Sequence, residues 1–207
     1  MDNKKIAQYQ RLDKFVTERL ANDIYPEVPT EPHLTITRQM IVKLGELKNL
    51  AGARVLDAGC GQGLALEIFE AKGAQPIGTT FGEDYRICRE RGFEVHEMDQ
   101  SFLAFEPNTF DIVWCRHALE HSLFPLFTLH GFHEVLKSDG ILYVEVPAPT
   151  TSARHETNAN HYSCFTSPVW ASLFDKARFR ILEALDLNFT ALCGPDTYHA
   201  FFLVKQS

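Results

Sequence analysis

An acid followed by glycines at alternate positions stands early in the chain, in Asp57-Ala58-Gly59-Cys60-Gly61-Gln62-Gly63. Glycines at that spacing let the backbone turn tightly and admit a ligand where a Cβ would otherwise stand. The apolar pair Val55-Leu56 precedes the turn, and a helical segment from Leu64 to Lys72 follows it, with Gly73 as a stop. The turn therefore joins a strand end to a helix start. The unpaired N–H groups and positive dipole end there favour the carboxylate or ribose of a nucleotide-like ligand. Two such ligands fit poorly. The dinucleotide fingerprint is G-x-G-x-x-G with an acid about 20 residues later, whereas this chain has G-x-G-x-G and closes its second strand with Thr79-Thr80. A phosphate-binding P-loop requires Gly-Lys-Ser/Thr after the glycines, and none follows.

Two further constellations carry chemistry. His117-Ala118-Leu119-Glu120-His121 spells H-x-x-E-H, a zinc-peptidase signature. That chemistry needs both histidines on one face of a long helix and a third ligand elsewhere. Here the motif directly follows a buried strand and Pro125 soon interrupts, so no metal is expected. The second is a long loop, Pro147-Ala148-Pro149 and then His155 through Phe165, with His155, Asn160, His161 and Tyr162 among its polar residues. Long loops in compact domains are often functional. These side chains either contact an acceptor substrate or order the loop itself.

The elements that must position these residues follow from the apolar pattern. Ile6, Tyr9, Leu12, Val16 and Leu20 recur in steps of three and four, which marks an amphipathic helix. Pro26, Pro29 and Pro32 then give an extended link, and Ile36, Met40, Leu44 and Leu47 mark a second helix. These first 50 residues are expected to cover the core, with the first helix as a partial lid. From residue 51 the rhythm is strand, helix, strand. Pro76–Thr80, Phe93–Asp99, Phe110–Cys115 and Ile141–Val146 read as strands, with helices over Glu83–Arg91, Pro125–Lys137 and Ser167–Ala177. Two apolar strands near Ile181–Leu187 and Ala200–Val204 close the chain. The expected fold is one α/β domain over 1–207: a doubly wound, mostly parallel, seven-stranded Rossmann-like sheet with helices on both faces and an N-terminal helical extension. In such sheets ligands bind beyond the carboxyl ends of the strands. Asp57, Thr80, Asp99 and Arg116 all fall at those ends.

Composition narrows the partners. A formal net charge of −7 argues against a phosphate-binding surface and hence against nucleic acid. No run reaches transmembrane length, and no signal-peptide core follows Met1. The 5 cysteines are widely spaced with no C-x-x-C pair, as expected of reduced thiols in a cytoplasm. Nothing in the pattern reports an oligomeric state.

Val55 through Gly63 resembles the first motif of the class I S-adenosylmethionine-dependent methyltransferases. The resemblance continues through Met98–Leu103, Phe110–His121, Phe132–Leu142 and Glu145-Val146-Pro147. It covers about Ala51 to Arg180 and is closest to the small-molecule, type 11 branch. It implies that Asp57, Gly59 and Gly61 hold the methionine end of the cofactor and that Gly63 shapes the turn. It implies that Asp99 bonds the adenine amino group, and that Arg116, His117, Ala118 and His121 line the reactive methyl. Cys60, Phe81, Gln100 and Ser101 are carried over as neighbouring cofactor contacts. The family usually places an acid for the ribose hydroxyls where this chain has Thr80, which can make only a neutral hydrogen bond, about half as strong as a charge-assisted one.

The implied reaction is in-line transfer of a methyl group from the sulfonium to an oxygen, nitrogen or carbon of a small-molecule acceptor. A hydroxyl acceptor would also need its proton removed, and His117, His155 and His161 are the candidate bases. Glu145, His155, Asn160, His161 and Tyr162 are the candidate acceptor contacts. The rival reading is a non-catalytic module that binds S-adenosylmethionine or S-adenosylhomocysteine, toward which Thr80 leans.

Overall fold

A computed structural model describes residues 2–20 and 31–206. The expected link at Pro26 and Pro29 lies outside the described residues. Among the described residues, thirteen helices and strands follow one another as α1 (Asn3–Leu20), α2 (His33–Leu47), β1 (Arg54–Ala58), α3 (Leu64–Ala71), β2 (Gln75–Thr80), α4 (Gly82–Glu90), β3 (Val95–Glu97), β4 (Phe110–Arg116), α5 (Pro125–Val135), β5 (Leu136–Pro147), α6 (Ser167–Lys176), β6 (Phe179–Ala191) and β7 (Gly194–Lys205).

The sheet has 7 strands in the order β3-β2-β1-β4-β5-β7-β6. β1 through β5 are mutually parallel, while β7 pairs antiparallel with both β5 and β6. The chain winds outward from β1 to β3 and then returns to place β4 on the other side of β1. This reversal opens a crevice at the carboxyl ends of β1 and β4.

The period-two alternation of the central strands feeds two cores. Leu56, Val113, Cys115, Leu142, Val144, Phe201 and Leu203 face α5 and α6. Val55, Ile112, Trp114, Ile141, Tyr143 and Phe202 face α2 and α3. Both faces are covered, so β4 and β5 read as near-continuous apolar runs. Trp114 stacks on Tyr143 with ring centroids 4.0 Å apart, tying β4 to β5.

Three boundaries differ from the sequence reading, the first being the third strand, which keeps only Val95–Glu97 of the expected Phe93–Asp99. The helix expected to reach Lys137 stops at Val135, and β5 starts at Leu136. Leu136 already pairs with Phe110, and a bulge follows before Ile112 meets Ile141. The polar stretch Lys137–Gly140 rides on that bulge, where the Lys137 ammonium reaches Asp111 at 2.8 Å. The closing strands are also longer than their apolar centres. β6 and β7 form a hairpin running from Phe179 to Lys205, and alternate residues of β6 are half-buried along its length.

The two N-terminal helices behave differently. α2 buries Ile36, Met40, Ile41 and Leu44 against the α3 face of the sheet. α1 buries Val16, but Ile6, Tyr9, Leu12 and Phe15 stay 40–59% exposed. No helix among the described residues is long and apolar enough to cross a membrane.

Candidate active site

The turn after β1 is set by its glycines. Gly59, Gly61 and Gly63 all sit at positive φ, +80°, +50° and +83°. A Cβ on Gly59 would lie 2.5 Å from the Ala118 Cβ, so the β1 turn and the segment after β4 pack closely only because Gly59 has no side chain. A Cβ on Gly61 would meet nothing closer than Asp84 Oδ2 at 3.9 Å, so this glycine borders open space. Gly63 instead packs under the turn, where a Cβ would strike Phe93 at 3.0 Å. The amides of Gly59 and Cys60 both donate to the Thr79 carbonyl, at 3.0 and 2.9 Å. The turn is therefore pinned to β2.

A cavity of about 300 Å³ opens above this turn. Asp57, Gly59, Cys60 and Gly61 line its β1 side, and Thr80 and Phe81 line the β2 side. Asp99, Gln100 and Ser101 come from the loop after β3, and Arg116, His117, Ala118 and His121 from the segment after β4. α1 and α2 contribute Val16, Arg19, His33 and Thr37. All three of these loop residues also have structural partners. Ser101 Oγ hydrogen-bonds Thr128 at 2.8 Å, and the Gln100 amide donates to the Ala118 carbonyl. Asp99 Oδ1 accepts from the Ser101 amide at 2.6 Å.

Asp57 is 3% exposed, and its Oδ2 is buried and accepts no hydrogen bond among the described residues. Burial pushes its carboxyl up to about 8, and the nearby Cys88 thiol adds to this, against the pull of Arg116. An acid held in this way at the mouth of a glycine turn is short of a cationic or N–H-bearing partner.

Beyond β4 lies an ionic cluster. His117 takes a left-handed backbone, φ +50°, and turns the chain into a short 3-10 turn, Leu119–His121. Its Nε2 lies 3.0 Å from Glu145 Oε1 and its Nδ1 3.4 Å from Glu120 Oε1. Burial and Arg116 work against protonation, but the two carboxylates win and raise its pKa. Both ring nitrogens face carboxylates, which does not suit a general base. Glu145 is fully buried. Tyr143 donates its hydroxyl proton to Oε2 at 2.5 Å, and Arg116 Nε approaches Oε1 at 2.8 Å as an ion pair, off the hydrogen-bonding direction. Burial would raise Glu145, but Arg116, His117 and Tyr143 together hold it at about 2. It supports the wall of the cavity from below and does not line it.

The loop after β5 does not line the cavity either. His155 Nε2 faces the Asp196 carboxylate at 2.9 Å, His161 Nδ1 donates to the His155 carbonyl at 3.0 Å, and the Asn160 carbonyl accepts from His121 Nδ1 at 2.9 Å. Tyr162 is half-buried beside them. The loop reaches the site through His121, whose ring meets His161 edge-on with centroids 4.9 Å apart.

Among the cavity residues that the sequence does not mark are His33 and Asp84. His33 comes from the first turn of α2, 83 positions from its partner. Arg116 can only donate, so its bond to His33 Nδ1 at 3.2 Å makes that nitrogen the acceptor. Burial and two cationic neighbours depress His33 to about 4, so it is neutral and turns its Nε2 proton toward the Tyr198 hydroxyl at 3.4 Å. Asp84 lies on the first turn of α4, four residues past Thr80 and on the same wall. Thr80 closes β2 without an acid, and Asp84 brings a carboxylate into the same cavity from the first turn of α4.

Comparison with known proteins agrees with this geometry. A family model described as a methyltransferase domain matches residues 35–191. A ubiquinone biosynthesis O-methyltransferase of Xanthomonas euvesicatoria is 32% identical over 151 residues, 69% of this chain and 62% of that protein. The Azotobacter vinelandii protein of the same name is 33% identical over 151 residues, with the same coverage of 69% and 62%. The chain therefore spans under two thirds of the length of these curated relatives. Among solved structures, the fold matches a Burkholderia thailandensis 1,6-didemethyltoxoflavin-N1-methyltransferase with bound S-adenosylhomocysteine at a TM-score of 0.66 and 19% identity, covering 100% of this chain and 92% of that one. It also matches a SAM-dependent methyltransferase of Methanosarcina mazei at a TM-score of 0.68 and 15% identity, covering 79% and 96%. With its glycine turn, strand order and family match together, the chain belongs to the class I S-adenosylmethionine-dependent methyltransferases.

Proposed function

We propose that this protein transfers a methyl group from S-adenosylmethionine to a small-molecule acceptor, with an oxygen acceptor favoured by the names of its curated relatives. The observation that carries the reading is Asp57. Its buried carboxyl, with Oδ2 unpartnered, sits at a glycine turn in the crevice where the strand order reverses. The residues fit the cofactor end to end. Asp57 would take the methionine ammonium, Gly59 and Gly61 would leave its backbone room, Asp99 would reach the adenine, and Asp84 with Thr80 would serve the ribose hydroxyls. S-adenosylmethionine supplies an activated methyl on a sulfonium, and the chain's task is to orient it and keep out water.

Arg116, His117 and Glu145 form a fixed floor under the methyl-bearing end, and buried charges held this way cannot reorganise freely. α1 and α2 close the other side through Val16, Arg19 and His33, which supports reading residues 1–50 as a cover with a partial lid over the 51–207 core. The acceptor would enter between that cover and the His121 wall. His155, Asn160, His161 and Tyr162 would shape that entrance from behind rather than hold the acceptor directly. The net charge of −7 favours a metabolite over nucleic acid. Five free thiols favour a reducing compartment such as the cytoplasm.

Titration calorimetry with S-adenosylhomocysteine tests the reading. Saturable one-to-one binding is expected, weakened at least tenfold by Asp57→Asn. An absence of binding at millimolar ligand would sink it. Transfer of label from methyl-labelled cofactor into a metabolite pool then identifies the acceptor.

A further inference from the structure

Directly behind the cavity wall, Glu120, His121 and His161 present one carboxylate and two imidazoles, with ligand atoms all within 4.8 Å of one another. They come from separate parts of the chain. Glu120 and His121 lie on the 3-10 turn after β4, and His161 lies on the loop after β5. The loop is fastened there by Ser163, whose amide donates to the Glu120 carbonyl at 3.0 Å.

Three features go beyond proximity. Glu120 is 1% exposed, and its Oε2 is buried with no hydrogen-bond partner among the described residues. An ionised carboxylate left with an unfilled oxygen in such a place lacks a cation or donor. His117 already satisfies Oε1, so Oε2 is the oxygen directed elsewhere. Each histidine also donates its Nδ1 proton to a main-chain carbonyl, His121 to Asn160 at 2.9 Å and His161 to His155 at 3.0 Å. That second bond is what fixes the tautomer and orientation of metal-ligating histidines, with Nε2 as the coordinating nitrogen. At His161 the Asn158 amide donates to Nε2 at 3.2 Å, which marks that nitrogen as the lone-pair atom. This exposed contact is the one an ion would displace.

We propose that Glu120, His121 and His161 form a binding site for one first-row divalent transition ion. Two imidazoles and one carboxylate suit Zn²⁺, Co²⁺ or Fe²⁺ and disfavour Mg²⁺ and Ca²⁺, which prefer all-oxygen ligands. Three protein ligands leave a coordination position open, as catalytic sites do. His121 also lines the cofactor cavity, so an ion held here would stand at the wall of the cleft.

The role of the ion rests on the methyl-transfer reading above. It would draw electron density from an acceptor hydroxyl and so acidify it. The hydroxyl proton passes to water. The oxygen lone pair forms the new O–CH3 bond while the S–CH3 bond breaks, and that bond's electron pair stays on sulfur. An ion at this place selects a hydroxyl-bearing acceptor over an amine or carbon nucleophile. It also supplies the acidifying power that His117, with both nitrogens on carboxylates, does not.

The test uses the full chain stripped with a chelator and titrated with Co²⁺, read by its visible d–d absorption and by calorimetry. One Co²⁺ per chain is expected, with affinity lowered at least tenfold by His161→Ala and by Glu120→Gln. His161 is on a loop and Glu120→Gln keeps the shape, so both variants should fold. Retained binding of S-adenosylhomocysteine verifies that they do. No saturable Co²⁺ binding, or binding unchanged in both variants, overturns the proposal. Because S-adenosylhomocysteine is titrated into the same stripped protein, the two readings fail separately. Cofactor binding without Co²⁺ binding removes the metal site alone, and Co²⁺ binding without cofactor binding removes the methyl-transfer reading while the metal site stands.

Discussion

Glu145 holds His117 from beneath the cavity floor: the carboxylate is fully buried, and its Oε1 lies 3.0 Å from His117 Nε2. The same oxygen faces Arg116, and Oε2 accepts from Tyr143. One carboxylate thus answers two cationic groups at the end of β4. A strand that would otherwise stop in solvent ends in a rigid charged corner.

Removing that charge should destabilise the protein strongly. Glu145→Gln leaves Arg116 without its counter-charge and His117 with Glu120 alone, and a broken buried pair of this kind costs about 3–5 kcal/mol. Urea denaturation measures it. The pH dependence has a definite sign. Glu145 is held at about 2 against 4.5 when unfolded, so its contribution is full above pH 4.5 and is lost as the pH falls toward 2. The variant should lose the steep decline in stability over that window. Unchanged acid sensitivity would count against the assignment.

Asp57 has the opposite sign. Its pKa is raised from 3.8 to about 8, so the empty protein holds a neutral carboxyl at pH 7, and the group's contribution to stability falls as the pH rises from 3.8 to about 8. A cationic ligand end favours the ionised form. Binding of S-adenosylhomocysteine at pH 7 should therefore release close to one proton, visible as a binding enthalpy that scales with the ionisation heat of the buffer. Asp57→Asn should abolish the release and raise the melting temperature of the empty protein at pH 8. If the wild-type enthalpy is the same in every buffer, Asp57 is already ionised before the ligand arrives.

The fold was legible in the sequence wherever the signal was local. The run Val55-Leu56-Asp57 followed by glycines places a strand, a turn and a helix with little dependence on the rest of the chain. The end of α5 was illegible because Leu136 pairs with Phe110 across the sheet, a contact 26 residues away in sequence that overrides a helix-like pattern. Within the site, Asp57, Asp99 and Arg116 were legible because each lies at or just beyond the carboxyl end of a strand. His33 was missed because its meaning depends on Arg116 and Tyr198, both distant in sequence. Glu145 read as an acceptor contact because it lies near a strand's carboxyl end, but β5 is buried on both faces and turns it inward. His117 read as a base, although its flanking acids are visible only in three dimensions.

The contact between Gly59 and Ala118 yields a steric test. Gly59→Ala places a Cβ 2.5 Å from the Ala118 Cβ and puts an alanine at φ +80°. The strained backbone alone costs about 1–3 kcal/mol, and the clash must also push the β1 turn away from the post-β4 segment. Cofactor affinity should fall at least tenfold. Adding Ala118→Gly relieves the clash but not the backbone strain, so the double variant should recover part of the affinity and not all of it. Full recovery would show that φ is not a constraint, and no recovery would show that the two residues do not press on each other.

The last prediction concerns the ribose. The family pattern places its acid at the end of the second strand, where this chain has Thr80, yet Asp84 on the first turn of α4 lines the same cavity. A charge-assisted bond to a hydroxyl is roughly twice as strong as a neutral one. Asp84→Asn should therefore weaken S-adenosylhomocysteine by about tenfold, and Thr80→Val by only about threefold. The loss at Asp84 should shrink for a ligand lacking the ribose hydroxyls, because the carboxylate then has nothing to grip, while the loss at Asp57 should persist with that ligand. If Thr80→Val proves the costlier change, the hydroxyl itself carries the ribose contact, and the acid on α4 serves the glycine turn that it faces across Gly61.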